Sequence, residues 1–595
     1  MSTTEETTTA AINLTAVSPT TPQQFILQSF NAFDEAIASA PWDILNYTLN
    51  NLITSVADDQ ISLQTAQGQF KGVFSIESCM EATSTSIAAS MGMSMSYACY
   101  SGSVQANYSE ETQQTSTSLS ASNTSVINCG TISYNNSTDY TTILSLLKPS
   151  LLTALKSISS LRDAQAFTEQ YGTHLITGLN LGGIILTTLQ ISTQTYAEQQ
   201  SASATVKAAY NGAGSSADAT ATATSTVTSS LSKYNADNEV KAVGGSSAAA
   251  SRIGLTSTSA QYDEFAKSCT ADTVYGVYKS LEYWKLIQST YPTASHILLD
   301  YINLFILAQS INHPTVISNT IPLGLDYEAV VLVNPSTNSS VDGSKPLPAA
   351  YKVVSGGAQI LPTSATAYLT ASFPTTVISN GNTSVSGWEA NSDDLKYRCK
   401  NTDTLTAYAL CIYDPGNLLK VVLNQQQGTH PGSGTDVAYA SLNNFNGAIL
   451  AGGGTHCENT GGIKFIVSTY PDGNYTQWIS EVKDCHTAAS NVVLTSYAVG
   501  VIAPVNLKIN QTTGSSTSAT GGSDQTTVNL GDIPVIGGGA KVVIVNKGSG
   551  NLLQQSYPSS ANSWTEFNKS YNGAEDGSTA TATVFGIGLT ASIAY

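Results

Sequence analysis

Charge is what this sequence has least of: only 11% of its residues are Asp, Glu, Lys or Arg, against about a quarter in ordinary soluble domains. Lys and Arg number 23 against 41 acidic residues, a formal net charge of −18. With no Lys/Arg cluster anywhere, the balance argues against nucleic acid as a partner and against docking on anionic lipid by bulk electrostatics. Long hydrophobic runs are missing too. The best, HILLDYINLFILAQ at 296–309, is interrupted by Asp300 and Asn303 and reads as too short to span a bilayer. The start, MSTTEETTTAAINL, has neither the basic region nor the apolar core of a secretory signal. The expectation is a soluble protein that meets any membrane from solution, with its export route unspecified.

Groups that carry chemistry are equally scarce. There are six histidines and eight cysteines, with no CxxC, HExxH, GxSxG or P-loop pattern. No catalytic residue, cofactor or metal site is therefore expected, and the sequence points away from an enzyme. His456 and His486 beside Cys457 and Cys485 resemble a metal set, but nothing like them recurs in the related segments described below. Cys399 with Cys411, and Cys457 with Cys485, are spaced to pair locally or to remain buried thiols.

What is present is Ser, Thr, Ala, Gly and Asn, with 41% apolar residues over a chain of 595, enough for several cores. Residues 1–20 read as a disordered lead. Phe25, Ile26, Phe30, Phe33 and Ile37 fall at helical intervals, as do Leu144, Leu147, Leu151, Leu155 and Ile158. Gly172 is placed to stop the helix that follows. Two stretches alternate instead. Met91, Met93, Met95, Tyr97 and Cys99 do so within 80–130. Within 186–243, Ala217, Ala219, Ala221, Ala223, Val227 and Leu231 alternate with Thr220, Thr222, Thr224, Thr226 and Thr228. A strand puts these sets on opposite faces, one nearly apolar. A shorter alternating run at 201–210 precedes it across Asn211-Gly212, a hairpin-turn dipeptide. The run is about as long as a bilayer-crossing strand, roughly 9–11 residues, and its alanines also permit a helix elsewhere.

From about 321 the chain repeats itself three times, over 321–415, 416–505 and 506–595. Runs ending at Asn334, Asn424 and Asn510 open the copies, and Trp388, Trp478 and Trp564 follow at one constant distance. Between them lie SGGA (355–358), AGGGT (451–455) and GGGA (537–540), then an aromatic-Pro pair at 373–374, 470–471 and 557–558. Alternating strands at 405–412, 494–501 and 582–589 close the copies. Each copy reads as a small antiparallel sheet, and three around a pseudo-threefold axis would make a β-prism. The tryptophans admit two readings: core anchors where the sheets meet, or three equivalent glycan- or lipid-contacting sites.

Residues 171–183 read YGTHLITGLNLGG, preceded by a helix containing Phe167 and followed by a second glycine pair in VKAVGG. On Tyr171, Gly172, Thr173 and His174, with Gly182-Gly183 and Gly244-Gly245, the region resembles the membrane attack complex/perforin (MACPF) superfamily. The resemblance implies an α+β domain over 21–320, a bent antiparallel sheet flanked by two helical clusters, with a β-prism-like membrane-binding domain over 321–595 as in bacterial and fungal toxins. It further implies that the clusters within 80–130 and 186–243 unfurl into amphipathic hairpins, and that the glycine pairs are bend points. Ala217, Ala219, Ala221, Ala223, Val227 and Leu231 would then face lipid. The expected partners are a target-cell membrane, through a lipid or glycan receptor, and further copies of the chain. The expected activity is a β-barrel pore acting extracellularly, in toxin or defence. The alternative is a non-lytic, lectin-like or lipid-binding surface module. His174 is expected to be structural.

Overall fold

A computed structural model describes residues 21–34, 45–46, 48–49, 52–53, 56–77, 118–135, 137–193, 196–210, 216–323, 328–334, 350–379, 382–394, 400, 402–428, 435–459, 464–484, 492–518, 522–544, 551–571 and 579–595. The expected N-terminal lead, the run Met91–Cys99 and most of the first hairpin segment lie outside these residues.

The first sheet has six antiparallel strands organised by one of them. Strand β4 (His174–Ser192) pairs on one edge with β3 (Ser118–Tyr134), which pairs in turn with β2 (Ile61–Glu77). The two-residue β1 (Ser29–Phe30) sits beside the start of β4. On the other edge β4 pairs first with β6 (Val274–Glu282), then with β5 (Asn235–Gly244).

Helices α1 (Tyr140–Leu146) and α2 (Pro149–Ser157) carry the apolar face read from the sequence, and Leu144, Leu147, Leu151, Leu155 and Ile158 are all buried. Pro149 splits them, since it suits the first turn of a new helix and not the interior of an old one. Helix α3 (Leu161–Tyr171) is capped by Ser160 and stopped by Gly172 at φ 82°. The spacing that starts at Phe25 does not make a helix through Phe33, and Ile37 lies outside the described residues. A 3-10 turn at Pro22–Phe25 gives way to extended chain. Its backbone is bound to β4 instead, with Leu27 N–H on Ile176 O at 2.7 Å and Ile176 N–H on Gln28 O at 2.8 Å.

The alternating segment also differs from its local reading: it forms helices α4 (Tyr196–Tyr210) and α5 (Ala217–Ser230), and Asn211-Gly212 lies outside the described residues. Packing against the sheet selects the helix. Ala202, Val206, Tyr210, Ala223, Val227 and Leu231 form a core with Leu119, Ala121, Leu189 and Ile191. Short helices α6 (Ser247–Ala250), α7 (Ser259–Ser268) and α8 (Tyr283–Ile287) lead to α9 (Pro292–Asn312). Its 21 residues are long and apolar enough to cross a membrane, longer than the run read from sequence. Here it lies between two cores instead. Leu298, Tyr301, Ile302 and Ile306 join the first, while Leu307, Ala308 and Ile311 join the core of the C-terminal region.

The described C-terminal strands form three six-stranded antiparallel sheets, and here the one-sheet-per-copy expectation is corrected. Each copy splits into two three-stranded halves that join different sheets. The first halves are β7 (Thr315–Pro322), β9 (Tyr351–Leu361) and β12 (Thr404–Tyr413); β13 (Lys420–Gln427), β15 (Ile449–Asn459) and β18 (Val492–Ile502); and β19 (Asn506–Thr517), β21 (Val535–Ile544) and β24 (Ala580–Ser592). The second halves are β8 (Glu328–Val333), β10 (Tyr368–Ser379) and β11 (Asn382–Asp393); β14 (Thr435–Ser441), β16 (Lys464–Pro471) and β17 (Gln477–Asp484); and β20 (Ser523–Asn529), β22 (Asn551–Ser560) and β23 (Ser563–Ser570). The second half of each copy pairs with the first half of the next, and the third copy returns to the first through Ser556↔Ala358.

This arrangement moves two sequence landmarks. The run ending at Asn334 lies on β8, a second-half strand, whereas those ending at Asn424 and Asn510 lie on β13 and β19. The counterpart of β13 and β19 is β7, which begins at Thr315, so a boundary at 321 falls inside a strand of the C-terminal sheets. Short Val/Leu-rich runs ending in Asn are too generic to mark one strand. The other landmarks interlock at the joins. Trp388, Trp478 and Trp564 donate their indole N–H to Ser372, Thr469 and Ser556 at 2.9, 2.9 and 3.0 Å. Their rings occupy the space where a Cβ on Gly356, Gly453 or Gly538 would stand. On the opposite face Phe373, Tyr470 and Tyr557 stack on Tyr497, Phe585 and Tyr408 of the adjoining copy, each pair at 5.4 Å.

Three outcomes are expected. Gly453→Ala should destabilise the chain by about 2–3 kcal/mol in chemical denaturation, because its methyl meets the Trp478 ring and the Tyr497 carbonyl. Gly473→Ala, with nothing within 4 Å, should stay within about 0.5 kcal/mol of the parent. A fragment 321–595, stripped of most of β7 and of Leu307 and Ile311, should show no cooperative melting transition by calorimetry.

Candidate functional site

Two clusters on β4 hold the residues singled out by sequence. The first is the junction of α3 with β4. Thr173 N–H donates to Phe30 O at 2.9 Å, Thr173 O accepts from Tyr283 N–H at 3.1 Å, and Thr173 Oγ1 accepts from Ala32 N–H at 2.8 Å. The same hydroxyl lies 2.8 Å from His174 Nδ1. Ser29 Oγ reaches the Tyr171 and His174 carbonyls at 2.5 and 2.9 Å, and Phe30 stacks on the imidazole with ring centroids 5.0 Å apart. Gly172 is required at its position, since a Cβ there would stand 2.5 Å from Phe30 O at a φ that favours glycine. Ser29, which helps hold the junction in place, was not found by sequence reasoning, and Phe30 was marked only by a helical spacing, not by its place at the junction.

His174 is buried and lies opposite Glu282 in the β4–β6 register. Burial pulls its pKa down to about 4; the Glu282 carboxylate opposes this, and Lys285, ion-paired to Glu282, adds to it. A neutral imidazole held between Thr173 and Phe30, inside a strand junction, has the surroundings of a structural residue.

The second cluster lies where β4 changes partner from β6 to β5. Gly182 has φ 118°, and Gly244 and Gly245 have φ 79° and 59°. Gly183 lies directly opposite Gly244. Gly182 O accepts from Thr273 Oγ1 at 2.8 Å and from Gly245 N–H at 3.2 Å, while Gly182 N–H donates to Thr273 O at 2.7 Å. A Cβ on Gly182 would strike the Ile127 carbonyl, and one on Gly183 the Cys269 sulfur, with Phe265 Cζ at 2.9 Å. The two pairs, 61 positions apart in sequence by numbering (Gly183 to Gly244), thus form one locus, wedged by Phe265 and Cys269 from α7. Cys129 Sγ approaches Cys269 O at 3.3 Å across the same wedge.

The residues expected to face lipid lie on α5, close to this glycine locus. Ala217 and Ala221 pack with Ile127, Cys129, Ile185 and Phe265. The buried helical face also takes in Thr220, 3.0 Å from Ser125 Oγ, and Thr224, and it leaves Ala219 half-exposed.

The three tryptophans belong to no surface site. Trp388, Trp478 and Trp564 are 0%, 1% and 0% exposed. This corrects their reading as glycan or lipid contacts: the ring faces are covered and each N–H is already donated inside. Cys411 is a buried free thiol, whereas Cys399, Cys485 and His486 lie outside the described residues. His456 stacks on Phe373 at 4.4 Å.

The His174 environment carries a pH signature. Its pKa is lowered in the fold, so the protein gains full benefit above the unfolded value of about 6.5 and loses it as pH falls towards about 4. Urea midpoints of the parent should therefore drop between pH 7 and pH 5, and the drop should shrink in His174→Gln. An unchanged pH slope in that variant would count against the assignment.

Residues 60–293 match the family model for the MAC/Perforin domain. Among solved structures, the chain is similar to GNIP1Aa from Chromobacterium piscinae at 14% identity and TM-score 0.33, over 72% of this chain and 77% of that one. It is also similar to a MAC/Perforin-domain protein from Bacteroides thetaiotaomicron (10% identity, TM-score 0.34, 54% and 65% covered). A third similarity is to the cytotoxin suilysin from Streptococcus suis (9% identity, TM-score 0.18, 64% and 62% covered). These likenesses are loose, and no curated protein sequence matches the chain significantly. The domain match falls on the sheet, the junction and both glycine pairs, so residues 60–293 carry a MAC/Perforin domain.

Proposed function

We propose that this chain is a pore-forming protein that binds a target membrane as a soluble subunit, assembles with further copies into a ring, and then inserts two hairpins per subunit. Segments within 80–130 and 186–243 would supply the hairpins, and closure into a barrel would satisfy their backbone groups in lipid. The reading rests on one observation above all. Residues 217–231 contain two incompatible partitions. As a helix they bury Ala217, Thr220, Ala221, Thr224 and Val227 together. As a strand they separate alanine from threonine completely, and the helix makes no use of that separation.

The helical state is also held lightly. Ser203 Oγ on α4 is buried without a hydrogen-bond partner among the described residues, and an unmet buried hydroxyl costs about 1–3 kcal/mol. Such an interface opposes release less than an apolar one would. The glycine locus at the bend is where the sheet would open, with α7 as the wedge that has to move. Since α9 sits in both cores, the C-terminal region would orient the first domain on the membrane as one body.

The test uses polarity-sensitive dyes on single introduced cysteines, with Cys79, Cys99, Cys399 and Cys485 replaced by serine. On lysed vesicles, labels at Ala219, Ala221 and Ala223 are expected to report a lipid environment and those at Thr220, Thr222 and Thr224 an aqueous one. Equal signals from both sets would remove the hairpin assignment. Intact vesicles under every lipid composition tried would favour a non-lytic binding module.

A further inference from the structure

Away from the bend, α3 and α9 meet the end of β24 and the N-terminal segment around an open cleft of about 430 Å³, within the size range of small-molecule sites. Its floor is apolar: Phe33 and Phe305 stack with ring centroids 4.3 Å apart, and Tyr301 tilts against Phe305 at 6.0 Å. One rim is polar. Gln165 Nε2 donates to the Glu169 carboxylate at 2.8 Å, and Gln309 faces the cleft from α9. Tyr595 closes the far side, 57% exposed, with the Arg162 guanidinium 5.8 Å from its ring centroid.

The charge arrangement narrows the ligand. Glu169 is the one charged side chain that lines the cleft, and Arg162 beside it stands over the Tyr595 ring, so side-chain charge around the cleft is nearly balanced and favours neither a strong cation nor a strong anion. An aromatic floor suits a flat C–H surface, and amide and carboxylate groups around it suit hydroxyls that both donate and accept. We propose that this cleft binds a neutral hexopyranose sugar, its C–H face against the exposed part of Phe305 and its hydroxyls on Gln165, Glu169 and Gln309. The proposal stands apart from pore formation, since a chain that never perforates a membrane would bind the sugar equally well.

The experiment is saturation-transfer NMR on the full chain with the methyl glycosides of glucose, galactose, mannose and N-acetylglucosamine, and with choline as a cationic probe. At least one glycoside is expected to receive saturation, strongest at its ring C–H protons. Binding should weaken roughly tenfold or more in Gln165→Ala and in Tyr595→Ala. Both are surface changes that should leave the melting temperature in place. Gln170→Ala, on the same helix outside the cleft, should bind like the parent. Three results would overturn the proposal: no transfer to any glycoside at millimolar concentration, transfer undiminished in both variants, or transfer to choline alone.

Discussion

Strand β4 has two backbone edges to satisfy over 19 residues, and on neither does a single neighbour do it: β1 and β3 share one, β6 and β5 the other. The partner changes from β6 to β5 at the position where Gly182 leaves ordinary strand geometry. Much of the first domain follows from that change. The glycine pairs have to face each other there, α7 has to fill the notch, and the helices made from residues 196–230 have to cover the β5 side. The YGTH junction sets where β4 starts, and the Ser29–Ala32 segment sets how firmly.

The C-terminal region answers a related demand differently. A three-stranded sheet has two exposed edges, and each copy here supplies two such sheets. Pairing the second half of one copy with the first half of the next joins those edges at three places. The joins are made by the residues that recur most strictly: a hydroxyl that accepts the indole N–H, an aromatic ring stacked on the next copy, and glycines that let both approach. Helix α9 fills one end of the shared interior, hydrogen-bonded there through Ser310 to Tyr413 N and through Asn312 to Ala591. The two regions consequently have no loose joint at this helix.

Much of this was legible in the sequence where a residue has only one plausible use. Gly172 as a helix stop and the leucine face of 144–158 both fall where the residues predict. The misreadings share another cause. Residues 217–231 are small, and small residues fit a strand or a helix until a neighbouring sheet decides. Phe25–Phe33 has helical spacing but gives its backbone to β4, a long-range partner that local pattern cannot reveal. The run ending at Asn334 and the boundary at 321 were misplaced because Val- and Leu-rich strands look alike, while the sharing of sheets between copies is topology and leaves no local mark. Ser29 and Phe30 illustrate the limit at the junction, because their importance lies wholly in what they touch.

The return of the third copy to the first has a meaning in time as well as in space. Gln555 and Gln359 are register partners, so the last join links segments nearly two hundred positions apart in the order of synthesis. While a ribosome is still making the third copy, β9 lacks one neighbour and the interior is open on that side. Contacts so distant along the chain form slowly and leave strand edges exposed meanwhile. A nascent chain therefore lacks a finished C-terminal region until the third copy has emerged.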